Sequence, residues 1–313
     1  MKIIFMGTPD FSVYSLEKLA DSEEIEILAV VTQPDKPRNR GQKITYSPVK
    51  KKALELDLPV LQTDNINKKE FINKLNRLSP EAIVVVAFGQ KLGTEILNMT
   101  DYGCINLHGS LLPEYRGASP IHQAILDGKK FTGITTMYMA EGWDTGDMIY
   151  KEKVEIKKTD TVGTLHDKLA DIGADLLVKT LINIEKGIAP REKQDDSQAT
   201  HTSKIDKSTG KIDWSKSSEE IYNLVRGVNP WPGAYTYYQG DLLKIWQVEI
   251  SEERVNEDIE AGTIIKSDLE NGIIVKSGDA CIKITELQIS GRKRMAVEKF
   301  LHGSNIEIGE KLG

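Results

Sequence analysis

Asn106 and His108 stand two residues apart at the end of the short apolar run CINLH, and on an extended strand that spacing puts both side chains on one face. A carboxamide and an imidazole placed this way can converge on one small oxygen. The segment that follows, GSLLPEYRGAS, is punctuated by glycine and proline and leads into a helix expected to open with Ser119 as N-cap and Pro120 in its first position. Further on, EGWDTGD sets Asp144 and Asp147 in a glycine-flanked loop, and by spacing alone either carboxylate could fold back onto the imidazole. These residue types suit acyl transfer. Asn106 and a protonated His108 are donors for the negative charge that develops on a carbonyl oxygen, and the carboxylate favours the charged imidazole and can collect a proton. None of them is a Ser or Cys nucleophile, so an amine of the substrate would attack and no covalent enzyme intermediate is required.

Each of these residues also has a plainer role. An Asn before a glycine turn often only forms the turn, and a loop Asp often only caps backbone N–H groups. His122 and His166 fall within helices and His302 near the last one, where a surface or packed role fits better than catalysis. The basic stretch QPDKPRNRGQK, residues 33–43, contains two prolines and a glycine and is expected to be an exposed loop rather than a regular element. Trp231, within NPWPGAY, reads most simply as a packing residue at a domain junction.

The elements that must hold the candidate residues follow from hydrophobic periodicity. KIIFM and residues 25–32 (IEILAVVT) read as strands, and EAIVVVAFG as a central strand buried on both faces. Val13, Leu16 and Leu19 recur at helical spacing after GTPDF. Asn67 with Glu70 has the form of a capping box for a helix carrying Phe71, Ile72, Leu75 and Leu78. GITTMYM alternates as a half-buried strand would, MIYKEKVEI continues the sheet, and a long helix begins near Thr161 and stops at Gly187. The fold expected for residues 1–188 is therefore α/β, a Rossmann-like, mostly parallel sheet with helices on both faces. The turn after the first strand is not a G-x-G-x-x-G, which argues against a nicotinamide enzyme. Residues 189–207 are polar and unpatterned and read as a linker. Over 208–313 a capped helix (Ser217, Glu220) precedes short strands of period two divided by Gly240-Asp241, Asn271-Gly272 and Gly278-Asp279, the pattern of a small, OB-like β-barrel.

Composition bounds the rest. With 313 residues, 39% hydrophobic and 28% charged, the chain suits two soluble domains. The apolar run at the N-terminus is too short for a signal-peptide core and no stretch suits a membrane span, so a cytoplasmic protein with no membrane partner is expected. Two cysteines, Cys104 and Cys281, are too few for a disulfide framework or a zinc cluster, and no metal is expected. A net charge of −6 argues against broad nucleic-acid binding but leaves room for local basic patches.

HGSLLPEYRG at His108–Gly117, with Asn106 upstream and DTGDM from Asp144 downstream, resembles the signature of the 10-formyltetrahydrofolate-dependent formyltransferases. GTPDFS, QPDKPRNRGQK, SPVK at 47–50, VVVAFGQKL at 84–92, IDW at 212–214 and NPWPGAY at 229–235 extend the resemblance over both domains, toward the branch of the family that acts on an aminoacyl-tRNA. The resemblance implies that Asn106, His108 and Asp144 are the catalytic trio. It implies that Ser110, Leu111, Leu112 and Pro113 line a folate site and that the Phe88-Gly89 turn approaches the pterin through its backbone. The formyl group would pass from 10-formyltetrahydrofolate to the α-amino group of methionine on initiator tRNA. Lys36, Arg38, Arg40 and Lys43 would meet the acceptor end of the tRNA, with Asn39 standing where the family has a small residue. Since the chain closes at EKLG without a basic tail, further tRNA contact would fall to Lys204, Lys207, Lys211 and the cluster Arg292, Lys293, Arg294. A monomer is expected.

Other activities compete. A formyltransferase acting on a nucleotide-linked amino sugar could share the catalytic loop but would lack the basic segment. A formyltetrahydrofolate hydrolase would leave the C-terminal barrel without a task, and a glycinamide ribonucleotide formyltransferase would account only for the first domain. A catalytically silent folate- or RNA-binding module would not need the trio.

Overall fold

The computed structural model describes every residue except 39–42 and 257. Two compact units arise, the first from residues 1–120, 131–155 and 166–202, the second from 121–130, 156–165 and 203–313. Residues 189–202, polar enough to read as linker, belong to the first unit.

The first unit is a seven-stranded sheet in the order Met148–Glu155, Phe131–Tyr138, Cys104–His108, Ala82–Val86, Lys2–Gly7, Glu26–Thr32, Val60–Gln62. Five strands pair in parallel, Phe131–Tyr138 pairs antiparallel at one edge, and Met148–Glu155 pairs antiparallel with it and so runs in the direction of the five. Continuous apolar strands such as Ala82–Val86 are buried along their whole length, as parallel strands covered on both faces must be. Phe131–Tyr138 departs from its alternating pattern. All of it from Thr132 to Met137 is buried; Thr135 Oγ1 donates to the Ser110 carbonyl at 2.7 Å and Thr136 Oγ1 accepts from Thr180 Oγ1 at 3.0 Å, whereas Thr132 Oγ1 has no partner among the described residues.

Two local expectations fail. The helix Lys69–Asn76 has Lys68 at its N-cap with no side-chain cap, because Asn67 is engaged elsewhere. Its Oδ1 accepts from the Gly93 N–H at 2.7 Å and its Nδ2 donates to the Lys91 carbonyl at 2.9 Å, a tertiary pairing that removes it from the helix end. The basic stretch contains a regular element after all: Lys36–Arg38 and Lys43–Thr45 pair as a two-stranded antiparallel ribbon. The SPVK motif is explained locally. Ser47 Oγ accepts from the Lys50 N–H at 3.1 Å and Pro48 opens the helix Pro48–Glu55.

In the second unit the capping box at Ser217 and Glu220 forms and starts the helix Ser218–Gly227. An antiparallel sheet follows in the order Ala234–Tyr238, Asp241–Ser251, Cys281–Ile289, Gly272–Lys276, Ile264–Asp268, with Met295–Ala296 pairing to Cys281–Ile289. The last residues of the chain reach both edges of this sheet. Ile264 N–H donates to the Glu310 carbonyl at 2.8 Å and Gly313 N–H to the Tyr237 carbonyl at 3.0 Å, which closes the sheet as a small barrel. Its interior is apolar, with Ile245, Ile264, Val275, Ile284 and Leu287 buried together; Trp214 Nε1 is satisfied there by Thr236 Oγ1 at 3.1 Å. Trp231 is 52% exposed, contrary to the packing role read from its sequence.

Candidate active site

Asn106 and His108 lie on the strand Cys104–His108, Asn106 paired to Val85 on one side and Met137 on the other and His108 to Thr135 alone, and both are nearly inaccessible, at 8% and 6%. The imidazole is held at one end and faces a carboxylate at the other. Nε2 lies 2.9 Å from the Tyr115 carbonyl, which accepts only, so this nitrogen carries a proton. Nδ1 lies on the other side of the ring, 3.6 Å from Asp144 Oδ2. The same Oδ2 accepts from the Gly117 N–H at 2.8 Å. Among the described residues the Asn106 carboxamide makes no hydrogen bond, although it is buried.

Spacing left Asp144 and Asp147 equal, and the structure separates them. Asp147 Oδ2 is bound by Arg191 Nε at 2.7 Å, and that guanidinium also lies 4.5 Å over the Tyr138 ring. Asp144 has a left-handed backbone, φ +54°. Close approach governs Gly146, where a Cβ would stand 1.6 Å from the Tyr138 carbonyl oxygen. Cys104, on the same strand as His108, offers no thiolate, because burial pushes its thiol up to about 12.

The Phe88-Gly89 turn leaves the strand Ala82–Val86 with Gly89 at φ +82°. Its carbonyls are taken by the protein: Thr8 Oγ1 and Gln33 Nε2 each donate to the Phe88 oxygen at 3.1 Å, and Gln33 Nε2 reaches the Gly89 oxygen at 3.3 Å. Behind Gln33 lies a network in which Gln62 Nε2 donates to the Gln33 carbonyl and to Asp35, and Lys50 Nζ binds Asp35. The Phe88 ring packs in the core. Ser110 and Leu112 are also turned inward. Ser110 Oγ donates to the Glu114 carbonyl at 2.6 Å, and Leu112 packs with Met137 and Met148, so only Leu111 and Pro113 are part-exposed.

The basic residues divide. Lys36, Arg38 and Lys43 sit on the antiparallel ribbon, while Asn39 and Arg40 lie outside the described residues. Lys204, Lys207 and Lys211 are exposed. Arg292 Nη1 donates to Ser304 Oγ at 3.0 Å, Lys293 is exposed, and Arg294 binds Glu286 and stacks 4.8 Å over the Trp246 ring. The other cation on that ring, Lys244 at 5.4 Å, was not singled out from the sequence. The signal was present in LLKIWQVEI, where Leu243 and Ile245 point inward and Lys244 and Trp246 alternate with them.

Two more residues escaped sequence reading, Arg116 and Gln194. Both are charged or polar yet at most 5% exposed, and they hydrogen-bond to each other behind the Asp144 loop. No composition or periodicity signal distinguishes Gln194 from its polar neighbours. Among the described residues no group of acidic, His and Cys side chains could hold a metal ion, and no helix is long and apolar enough to cross a membrane.

Residues 1–181 match the family model for formyl transferase and 204–305 the model for the formyl transferase C-terminal domain. The chain is 62% identical over 316 residues to the methionyl-tRNA formyltransferase of Halothermothrix orenii and 51% identical over 313 residues to that of Clostridioides difficile, in each case over 100% of both proteins. Among solved structures it is similar to WlaRD, a sugar 3N-formyltransferase in the presence of dTDP and 5-N-formyl-THF, with a TM-score of 0.66 and 21% identity over 94% of this chain and 99% of that one. HypX from Aquifex aeolicus in complex with tetrahydrofolic acid follows with a TM-score of 0.61 and 14% identity, over 96% of this chain and 47% of that one. At such identities the last two speak for the fold alone.

Proposed function

Because the chain belongs to the methionyl-tRNA formyltransferase family, we infer that it transfers a formyl group to the α-amino group of methionine esterified to initiator tRNA, for translation initiation. We assign 10-formyltetrahydrofolate as the donor. In this reading residues 1–188 carry out the transfer and 208–313 hold the tRNA, and the protein works as a monomer in the cytoplasm.

The geometric observation that carries the chemistry is His108 held between the Tyr115 carbonyl and the Asp144 carboxylate, with an unpaired Asn106 carboxamide two residues before it. That unpaired carboxamide, on a residue 8% exposed, fits a formyl oxygen as its partner. The folate supplies a formyl carbon open to attack by an amine. Asn106 Nδ2–H and, when the ring is charged, His108 Nδ1–H donate to the oxygen on which negative charge develops. Asp144, with Oδ2 3.6 Å from His108 Nδ1, accepts the proton released by the attacking amine, directly or through water.

Folate contact would come through the backbone at Phe88-Gly89 and through the part-exposed Leu111 and Pro113, since Phe88, Ser110 and Leu112 spend their side chains inside the protein. Gly89→Ala places a Cβ 2.6 Å from Gln33 Nε2 at a left-handed position, at a cost of about 1–2 kcal/mol. A lower melting temperature with weaker binding of a reduced folate, measured by calorimetry, is the expected result; unchanged values for both would mean that the turn is not held by Gln33. For the tRNA, the exposed lysines at 204, 207 and 211 and the stack of Lys244 and Arg294 on Trp246 suit phosphates and a stacked ring.

The deciding assay follows labelled formyl from 10-formyltetrahydrofolate into methionyl-initiator tRNA and, separately, into a nucleotide-linked amino sugar. Label in the aminoacyl-tRNA alone is expected. Label in the sugar alone would select the runner-up activity, and label in neither would leave a binding module.

A further inference from the structure

We propose that Gln194 is a positioning residue for Asp144, holding the 144–146 loop in the backbone conformation that turns the carboxylate toward His108. The proposal rests on the reading of Asp144 as the group that supports the imidazole and collects the proton.

Gln194 uses its whole hydrogen-bonding capacity in one place. Its Oε1 accepts from Arg116 Nε at 3.0 Å and from Arg116 Nη2 at 2.8 Å, while its Nε2 donates to the Asp144 carbonyl at 2.8 Å and to the Gly146 carbonyl at 2.7 Å. Two acceptor sites and two donors are all an amide has. The guanidinium also fixes which way round the amide sits. Arg116 can only donate, so the oxygen must face it and the NH2 must face the two carbonyls. Arg116 itself is 4% exposed, and its Nη2 donates to Asp196 Oδ1 at 2.7 Å as well.

The loop needs such a clamp. Asp144 has a positive φ, which a residue with a Cβ adopts only at a cost of about 1–2 kcal/mol. A hydrogen bond to its own carbonyl and another to the carbonyl two residues on oppose relaxation of that conformation. Backbone relaxation there would carry Oδ2 away from both the Gly117 N–H and His108 Nδ1. The clamp is delivered by the segment that continues to Thr200, whose Oγ1 accepts from the Tyr115 N–H at 2.8 Å, beside the carbonyl that holds His108 Nε2. Its length, its polarity and its freedom from large apolar side chains are what made this segment look like a tether.

Gln194→Glu is the sharpest test, because it keeps the shape and the pairing with Arg116 but sets a carboxylate oxygen against two carbonyl oxygens. Gln194→Met removes all four hydrogen bonds at similar volume and serves if the first variant does not fold, with circular dichroism as the check. For either variant in the full chain, kcat is expected to fall about 10²-fold while the KM for each substrate stays within about threefold, the signature of a misplaced group rather than a lost binding contact. In an Asp144→Asn background the same substitution should lower kcat by less than about threefold more, since it acts through the carboxylate already removed. A folded variant with kcat within about threefold of the parent, or a loss that multiplies in full on the Asp144→Asn background, overturns the proposal. If Asp144→Asn alone leaves kcat unchanged, it is the reading of Asp144 that falls, and the clamp with it.

Discussion

His108→Ala is expected to lower kcat by about 10³ to 10⁴, more than loss of a single donor would. Removing one hydrogen-bond donor to a developing oxyanion typically costs about 10² to 10³, and losing proton handling adds to it, though the two effects of one side chain do not multiply cleanly. The imidazole is placed to do both. Its Nε2 is committed to the Tyr115 carbonyl, which leaves Nδ1, 3.6 Å from Asp144 Oδ2, as the nitrogen available to the substrate in the proposed reaction. Asn106→Ala removes a donor without touching the proton path, and a smaller fall of about 10² to 10³ is expected. The check is single-turnover formylation of methionyl-initiator tRNA, with folate affinity measured in parallel. A kcat within tenfold of the parent for His108→Ala, with the protein folded, would remove the imidazole from the chemistry.

Asp144→Asn should reduce kcat by about 10² to 10³ while Asp147→Asn changes it by less than about twofold. The contrast is informative because the two residues share a loop, a charge and a glycine-rich context. Asparagine at 144 can still accept the Gly117 N–H through its oxygen, so the loop anchor survives and what is lost is the charge beside Nδ1. At 147 the substitution only weakens a half-exposed pairing with Arg191, a kind of contact that contributes little. Steady-state kinetics on both variants decide the matter. Equal losses would mean that the loop acts as a unit and that neither carboxylate has a separate part in proton transfer.

Much of the architecture was legible from local pattern. The buried strands Lys2–Gly7, Glu26–Thr32 and Ala82–Val86 are written as continuous apolar runs, and the helix at Ser218 announces itself through a capping box that satisfies its own first N–H groups. Where local reading failed, a distant partner outbid the local one. Asn67 had the spacing of a cap, yet two backbone groups near Gly93 took its amide. The two prolines and the glycine of the basic stretch argued against regular structure, but antiparallel pairing of Lys36–Arg38 with Lys43–Thr45 recruited its ends.

The candidate site divides along the same line. Residue type and two-residue spacing were enough to set Asn106 beside His108 on one strand face, because side-chain direction on a strand alternates whatever the strand packs against. Nothing local could choose Asp144 over Asp147, tell which imidazole nitrogen is free, or pick Gln194 out of a polar run. Those outcomes depend on groups far apart in the chain meeting at hydrogen-bond distance: Arg191 drawing off Asp147, the Tyr115 carbonyl claiming Nε2, Arg116 turning one amide so that its donors hold the loop. The sequence by itself determined which chemical groups are present and which strands and helices carry them. Only the tertiary structure decided which of those groups are left unpaired to react, because that depends on the complete set of partners each one meets in the folded chain.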